Sequence, residues 1–210
     1  MKRVEMRSKR QYAKVMPRKE VYKYWKRMFD LIFAALLLML LSPLIVLLAV
    51  LIRADSVGPA FFVQERVGRE GERFLICKLR TMHVSAPHGV PSALLRDRER
   101  HVTRIGRFLR SASLDELPQL WNVLLGEMSF VGPRPVIPAE TALLRYREIL
   151  GADRVRPGLT GLAQVCGRDV LSDRAKAMLD AQYAATISLH TDLRILMATI
   201  PLVVCGVGND

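Results

Sequence analysis

Apolar and polar positions divide this chain sharply. Residues 31–52 are an uncharged, almost wholly apolar run, long enough as a helix to cross a bilayer. Ser42-Pro43 interrupts it near its middle. Proline removes a backbone donor and clashes with the preceding turn, so a kink is expected there. Each arm, residues 29–41 and 43–52, then measures about 15–20 Å, short of the roughly 30 Å of hydrocarbon. This favours a re-entrant hairpin over the kinked spanning helix that the same composition also permits.

Shorter periods follow. Asp55-Ser56-Val57-Gly58-Pro59 is a breaker cluster, and Ala60-Phe61-Phe62-Val63-Gln64 reads as a strand. Residues 65–72 read as a turn and residues 73–80 as a second strand, giving a small β-hairpin. Alternation places Phe74, Ile76, Lys78 and Arg80 on one face and Leu75, Cys77 and Leu79 on the other. Residues 83–102, with Pro87, Gly89 and Pro91, read as a long loop. His83 and His88 lie there without a third ligand nearby, which argues against metal binding.

A helical period then returns. Arg104, Arg107 and Arg110 recur at threes opposite Ile105, Phe108 and Leu109, an amphipathic helix with a basic face. The next helix has an apolar face of Leu117, Leu120, Trp121 and Leu124 and ends at Gly126. Ser113 with Glu116 fits a capping box, whereas Pro118 favours a start at Leu117 with Asp115 and Glu116 in the approach loop. Gly132-Pro133-Arg134-Pro135 and Arg156-Pro157-Gly158-Leu159-Thr160-Gly161 read as rigid turns, each presenting an arginine. A helical pattern runs from Ser172 through Met178, Leu179 and Tyr183. The last apolar stretch, residues 195–207, is expected to pack on the core or lie in the interface.

Charge sharpens the picture. Of a net +12, the eleven lysines and arginines before Leu31, less three acids, supply eight. A basic arm running straight into an apolar segment favours anionic lipid headgroups over nucleic acid. Positive residues flank both ends of residues 31–52 (Arg27, and Arg53, Arg66 and Arg69), so both ends read as cytosolic. Cys77, Cys166 and Cys205 form no CxxC pattern, which argues against a disulfide framework or zinc site; they read as small buried hydrophobes.

Adjacent acids such as Asp115-Glu116 ordinarily do no more than begin a helix. Here they sit in a chain rich in arginine, beside membrane-inserting sequence. A carboxylate attacks phosphorus only when repulsion from the phosphate oxygens is relieved, which clustered arginines and a hard cation accomplish. Phosphoryl transfer needs little beyond such positioning and neutralisation. No Ser-His-Asp arrangement, P-loop or GxGxxG is present. A membrane-anchored binding protein without catalysis is the alternative from a different class.

Over about residues 26–206 the sequence resembles the bacterial sugar transferases, the monotopic phosphoglycosyl transferases, in their small catalytic-core form. The motifs are Lys26-Arg27-Met28-Phe29-Asp30, Ser42-Pro43, Lys78-Leu79-Arg80-Thr81-Met82, Thr103-Arg104-Ile105-Gly106 and Ser113-Leu114-Asp115-Glu116-Leu117-Pro118-Gln119. Val131-Gly132-Pro133-Arg134-Pro135 and Arg156-Pro157-Gly158-Leu159-Thr160-Gly161 complete them. The resemblance implies a re-entrant hairpin at the cytosolic face of the bacterial inner membrane. It implies Asp115 as nucleophile and Mg²⁺ ligand, with Glu116 completing the dyad. Lys78, Arg80, Arg110, Arg134 and Arg168 match basic positions expected near the phosphates. Asp115 would attack a UDP-sugar, release UMP and pass the phosphosugar to undecaprenyl phosphate.

The expected fold class is therefore α+β, mostly helical: a basic arm (1–27), a re-entrant membrane hairpin (28–55) and a cytosolic catalytic domain (56–210) with amphipathic interfacial helices. Room is left for a homodimer. His101, Leu162 and Cys166 stand where the family commonly has arginine, tryptophan and asparagine, which bears on sugar identity and not on the dyad.

Overall fold

The structure, a computed structural model, describes residues 18–87, 98–167 and 170–204. Much of the basic arm and the whole of His88, Arg168 and Cys205 therefore lie outside the described residues.

Helix α1, Arg18–Asp55, is a single element of 38 residues with Pro43 inside it. The expected division into two arms at Ser42-Pro43 does not appear as a gap in the helix. Proline at position 43 leaves the Met39 carbonyl without its usual donor, and the Ser42 hydroxyl donates to that same carbonyl at 3.0 Å. The serine thus repairs the bond the proline removes, and the helix continues. By length and composition α1 is able to cross a membrane, and only 17% of its most apolar window is buried against the protein.

Both ends of α1 are tied to one body. Near its start, Tyr22 and Lys26 donate to Asp192 at 2.7 and 2.6 Å. Arg27 donates to the Val123 and Leu124 carbonyls, and Asp30 accepts from the Phe130 amide. At its far end Asp55 accepts from the Ile105 amide. Apolar contacts agree: Ala34 packs with Phe74, Ile76, Val123 and Met128. Ile45, Leu48 and Ile52, beyond the proline, pack with Ala60, Leu79 and Leu109.

Strands β1 (Phe61–Val67) and β2 (Arg73–Leu79) form the expected antiparallel hairpin. It is longer than the alternation implied: Glu65, Arg66 and Val67 pair with Leu75, Phe74 and Arg73 instead of turning. The turn is confined to residues around Arg69–Gly71, where Glu70 takes φ 55 and Gly71 φ 80.

Short helices carry the chain around this hairpin: α2 (Arg98–His101), α3 (Arg104–Ser111) and α4 (Gln119–Leu125). In α3 the Thr103 side chain accepts from the Gly106 amide, so Thr103 and Asp55 together satisfy two orphan donors of its first turn. Leu109 is fully buried but Phe108 is 60% exposed, so the apolar face of α3 is narrower than expected. Likewise α4 buries Leu120 and Val123 while Trp121 is 56% exposed; the buried position next to Trp121 belongs to Asn122.

Two short strands were not expected, one just ahead of the turn at Gly132 and one inside the turn of residues 156–161. Residues Ser129–Val131 (β3) and Gly158–Thr160 (β4) form a parallel pair. Between them lie α5 (Thr141–Leu150) and the 3₁₀ turn Ala152–Arg154. Helices α6 (Leu162–Cys166), α7 (Asp173–Thr186) and α8 (Leu189–Val204) complete the fold. Cys166 on α6 is exposed, not buried as expected, whereas Cys77 is half-buried, and burial pushes its thiol pKa up.

Candidate active site

Asp115 and Glu116 occupy a 3₁₀ turn, Leu114–Glu116, between α3 and α4. The expected capping box does not form. Ser113 adopts φ 54, makes no side-chain cap bond, and Glu116 turns away to Lys78. A non-glycine residue in this left-handed region is strained by about 1–3 kcal/mol, and here that strain sits two residues before Asp115.

The turn is fixed from beneath by an unforeseen residue. The buried Asn122 amide donates to the Leu75 carbonyl at 2.7 Å and accepts from the Cys77 amide at 3.2 Å. Its side chain thus serves the edge of β2 as a neighbouring strand would. This locks α4, and the dyad turn before it, against the strand that carries Lys78.

Lys78 Nζ donates to Glu116 Oε1 at 2.6 Å, and Arg134 Nη2 approaches the same oxygen at 3.4 Å. The Lys78 and Glu116 side chains are only 16% and 23% exposed, so this pair escapes the screening that weakens surface ion pairs. Arg110 leaves the basic face of α3 and donates through Nε to Thr81 Oγ1 at 2.9 Å. Among the described residues none hydrogen-bonds the Asp115 carboxylate. Burial pushes its pKa up, Glu116 adds to the rise, and Lys78, Arg110 and Arg134 oppose it.

Arg80 makes contacts that the sequence did not foresee. It is 5% exposed and donates to the Val57 and Ser56 carbonyls at 2.6 and 2.8 Å, just past the end of α1. Although it borders the cavity, its hydrogen bonds hold the end of the apolar helix. Arg168 lies outside the described residues.

Two motifs owe their glycines to close packing. A Cβ on Gly132 would overlap the Arg156 carbonyl, and one on Gly158 or Gly161 would overlap the Gly132 backbone. The two turns interlock through bare backbone, which aims Arg134 at the dyad. Behind it, Arg147 donates to the Arg134 carbonyl at 2.9 Å and pairs with buried Asp180 at 2.7 Å. Burial pushes the Asp180 pKa up, against the charge and hydrogen bond of Arg147.

Lys78, Arg80, Arg110, Asp115, Glu116, Arg134 and Arg147 border one cavity of about 820 Å³. Its wall also includes Leu37 and Leu41 of α1. Sequence reading missed Gln64 and Arg66, which line it too. The register pairs Phe62 with Lys78, Gln64 with Ile76 and Arg66 with Phe74, so period two in β1 carried the signal. Burial, with the charge of Arg134 added, pushes the Arg66 guanidinium down to about 10.

Among the described residues no group of three or more His, Cys, Asp or Glu is placed to hold a metal. Mg²⁺, however, commonly uses one or two carboxylates together with substrate phosphates. The accessible Asp115 carboxylate beside Glu116 fits that donor set.

A family model described as bacterial sugar transferase matches residues 21–206. The UDP-glucose:undecaprenyl-phosphate glucose-1-phosphate transferase of Caulobacter vibrioides is 46% identical over 84% of this chain and 68% of its own length. Exopolysaccharide production protein ExoY of Rhizobium meliloti is 38% identical, over 88% of this chain and 87% of its own. The UDP-galactose-lipid carrier transferase of Erwinia amylovora is 40% identical over 86% of this chain. The chain spans only 40% of that last protein's length.

Proposed function

The chain belongs to the bacterial sugar transferase family, and on that premise we propose that it moves a sugar 1-phosphate from a UDP-sugar to undecaprenyl phosphate. The observation that carries this is the cavity, where a carboxylate among cations shares one space with the apolar wall of α1. A phosphate headgroup and its hydrocarbon tail need those two surroundings side by side.

The chemistry proceeds in two displacements. An oxygen of Asp115 attacks the β-phosphorus of the donor, the bond to the bridging oxygen breaks, and UMP leaves with that oxygen. The phosphosugar remains on Asp115 as an acyl phosphate. An oxygen of undecaprenyl phosphate then attacks the same phosphorus and returns the carboxylate. Lys78, Arg110 and Arg134 neutralise charge on the transferring group. Mg²⁺, held by Asp115 with Glu116 beside it, would supply further neutralisation of the diphosphate. The place of Asp115 in the cavity wall, with no hydrogen bond to its carboxylate among the described residues, supports an available nucleophile.

The anchors of α1 support a monotopic course. Residues at both ends bind one catalytic body, so a helix that crossed the bilayer would draw part of that body with it. The exposed middle, with Met39 73% and Leu40 72% accessible, would enter one leaflet from the cytosolic side and return. Single cysteines at Tyr24 and Val57 in an otherwise cysteine-free protein should both resist a periplasmic thiol reagent in intact cells. Labelling of either rejects this course.

The enzymatic reading is tested by UMP release from a panel of UDP-sugars with Mg²⁺ and undecaprenyl phosphate in detergent micelles. Release dependent on the carrier for multiple turnovers is expected. No release from any donor would return the non-catalytic binding protein.

A further inference from the structure

Beyond the dyad, the cavity wall holds polar groups that the proposed chemistry does not use. Gln64 and Arg66 share the cavity-lining face of β1, and Glu140 joins them from the N-terminus of α5. Each is held by a tether. Arg66 Nη1 donates to the Pro135 carbonyl at 3.2 Å and Nη2 to Gln64 Oε1 at 2.8 Å, while its Nε is buried with no acceptor among the described residues. Glu140 Oε1 accepts from the Ile137 amide at 3.0 Å. Arg66 and Glu140 feel each other's charge yet form no direct ion pair among the described residues. A guanidinium and a carboxylate are thus held apart in one wall, with hydrogen-bonding capacity in reserve on both.

Charge decides what fits between them. A phosphate suits the Lys78, Arg110 and Arg134 region, but beside Glu140 it meets an anion. A carboxylate-bearing sugar meets the same repulsion. A neutral ring rich in hydroxyls satisfies both sides, because each hydroxyl donates to a carboxylate and accepts from a guanidinium N–H. Sites built to hydrogen-bond a hydroxyl discriminate strongly against a ligand that presents it wrongly, since their own buried groups are left unpaired.

We infer that Gln64, Arg66 and Glu140 form the subsite for the hydroxyls of a neutral sugar ring and so select which UDP-sugar is used. The inference rests on the proposed phosphosugar transfer and adds its specificity element. Three residues outside every motif quoted above would then set the choice of donor.

UMP release is measured for UDP-glucose, UDP-galactose, UDP-N-acetylglucosamine and UDP-glucuronic acid, together with inhibition by UMP. Glu140→Gln and Arg66→Lys should each cut the kcat/KM preference for the best donor over its C4 epimer by about tenfold or more. Glu140→Gln should also raise relative use of UDP-glucuronic acid. Inhibition by UMP, which lacks the sugar, should stay within about twofold of wild type. Gln64→Ala, at a partly exposed position, should shift the preference in the same direction and decides the matter if the other two fail to fold. Preferences unchanged in every folded variant would overturn the subsite. UMP inhibition weakened in step with KM would overturn it as well, placing the nucleotide there instead. Wild type that releases UMP from no donor defeats the transfer reading itself, a result distinct from either.

Discussion

Two sets of basic residues in this protein share chemistry and differ in what they hold. Arg27 and Arg80 give their guanidinium N–H groups to backbone carbonyls at Val123, Leu124, Val57 and Ser56, and Lys26 gives its charge to buried Asp192. These side chains dock the apolar helix. Lys78 and Arg134 instead converge on Glu116, with Arg110 close enough to act on Asp115. A basic residue bonded to the protein's own carbonyls stabilises the fold, while one facing a carboxylate in a cavity is, in the function proposed above, placed to meet a phosphate. Sequence position does not separate them: Lys78 and Arg80 are two residues apart, yet one bonds Glu116 and the other bonds backbone carbonyls.

Substitution tests that comparison, beginning with the strongest expected effect. Asp115→Asn keeps the shape of the dyad and removes the anion, so UMP release should fall by more than about a thousandfold. Because burial raises the Asp115 pKa, its ionisation costs stability in the folded state. That penalty is absent below the unfolded pKa and develops as pH rises through the folded value. The asparagine variant should therefore melt at or above the wild-type temperature at neutral pH, by differential scanning fluorimetry.

Arg134→Ala and Arg110→Ala should lower turnover by about ten- to a hundredfold, the effect of losing a charge-assisted contact of roughly 1.5–3 kcal/mol. Folded yield should change little. Arg80→Ala should reverse that pattern. It strands carbonyls beyond α1, at about 1–3 kcal/mol, and should lower the melting temperature while the protein that remains folded loses less than about tenfold in kcat. An Arg80 variant that stays stable but turns over a hundredfold slower would erase the distinction between the two sets.

The smallest effect expected is on the pH profile. As the proposed nucleophile Asp115 must be ionised, so the acid limb of kcat should lie above the roughly 4 of an ordinary aspartate. Lys78→Met removes the cation that most opposes the rise and should move that limb further up. An unmoved limb would mean that Lys78 serves Glu116 alone.

How far the sequence exposed all this depended on distance along the chain. The apolar helix and the β-hairpin follow from local period, whereas the grouping of Lys78, Asp115, Glu116 and Arg134 was implied by the family resemblance. The fate of Arg80 does not, because its partners lie more than twenty residues back. Asn122 read as one position in an apolar helix, yet its amide completes the edge of β2. Arg147 and Asp180, 33 residues apart, gave no local sign of a pair supporting Arg134. Arg66 was within reach: carrying the strand alternation to Val67 places it on the face of Gln64 and Phe62. The three-residue strands β3 and β4 are too short for period to reveal, and their glycines are explained only by the backbone contact between the turns.

The central claim is that Asp115 carries the phosphosugar. Wild-type protein incubated with its UDP-sugar and Mg²⁺, without undecaprenyl phosphate, should release about one UMP per active site. Mass spectrometry of the same sample should find a phosphosugar on the peptide containing Asp115, and adding the carrier should discharge it. An active enzyme that shows no adduct, and releases UMP only once carrier is present, would mean direct transfer to the lipid and leave Asp115 a ligand and not the nucleophile.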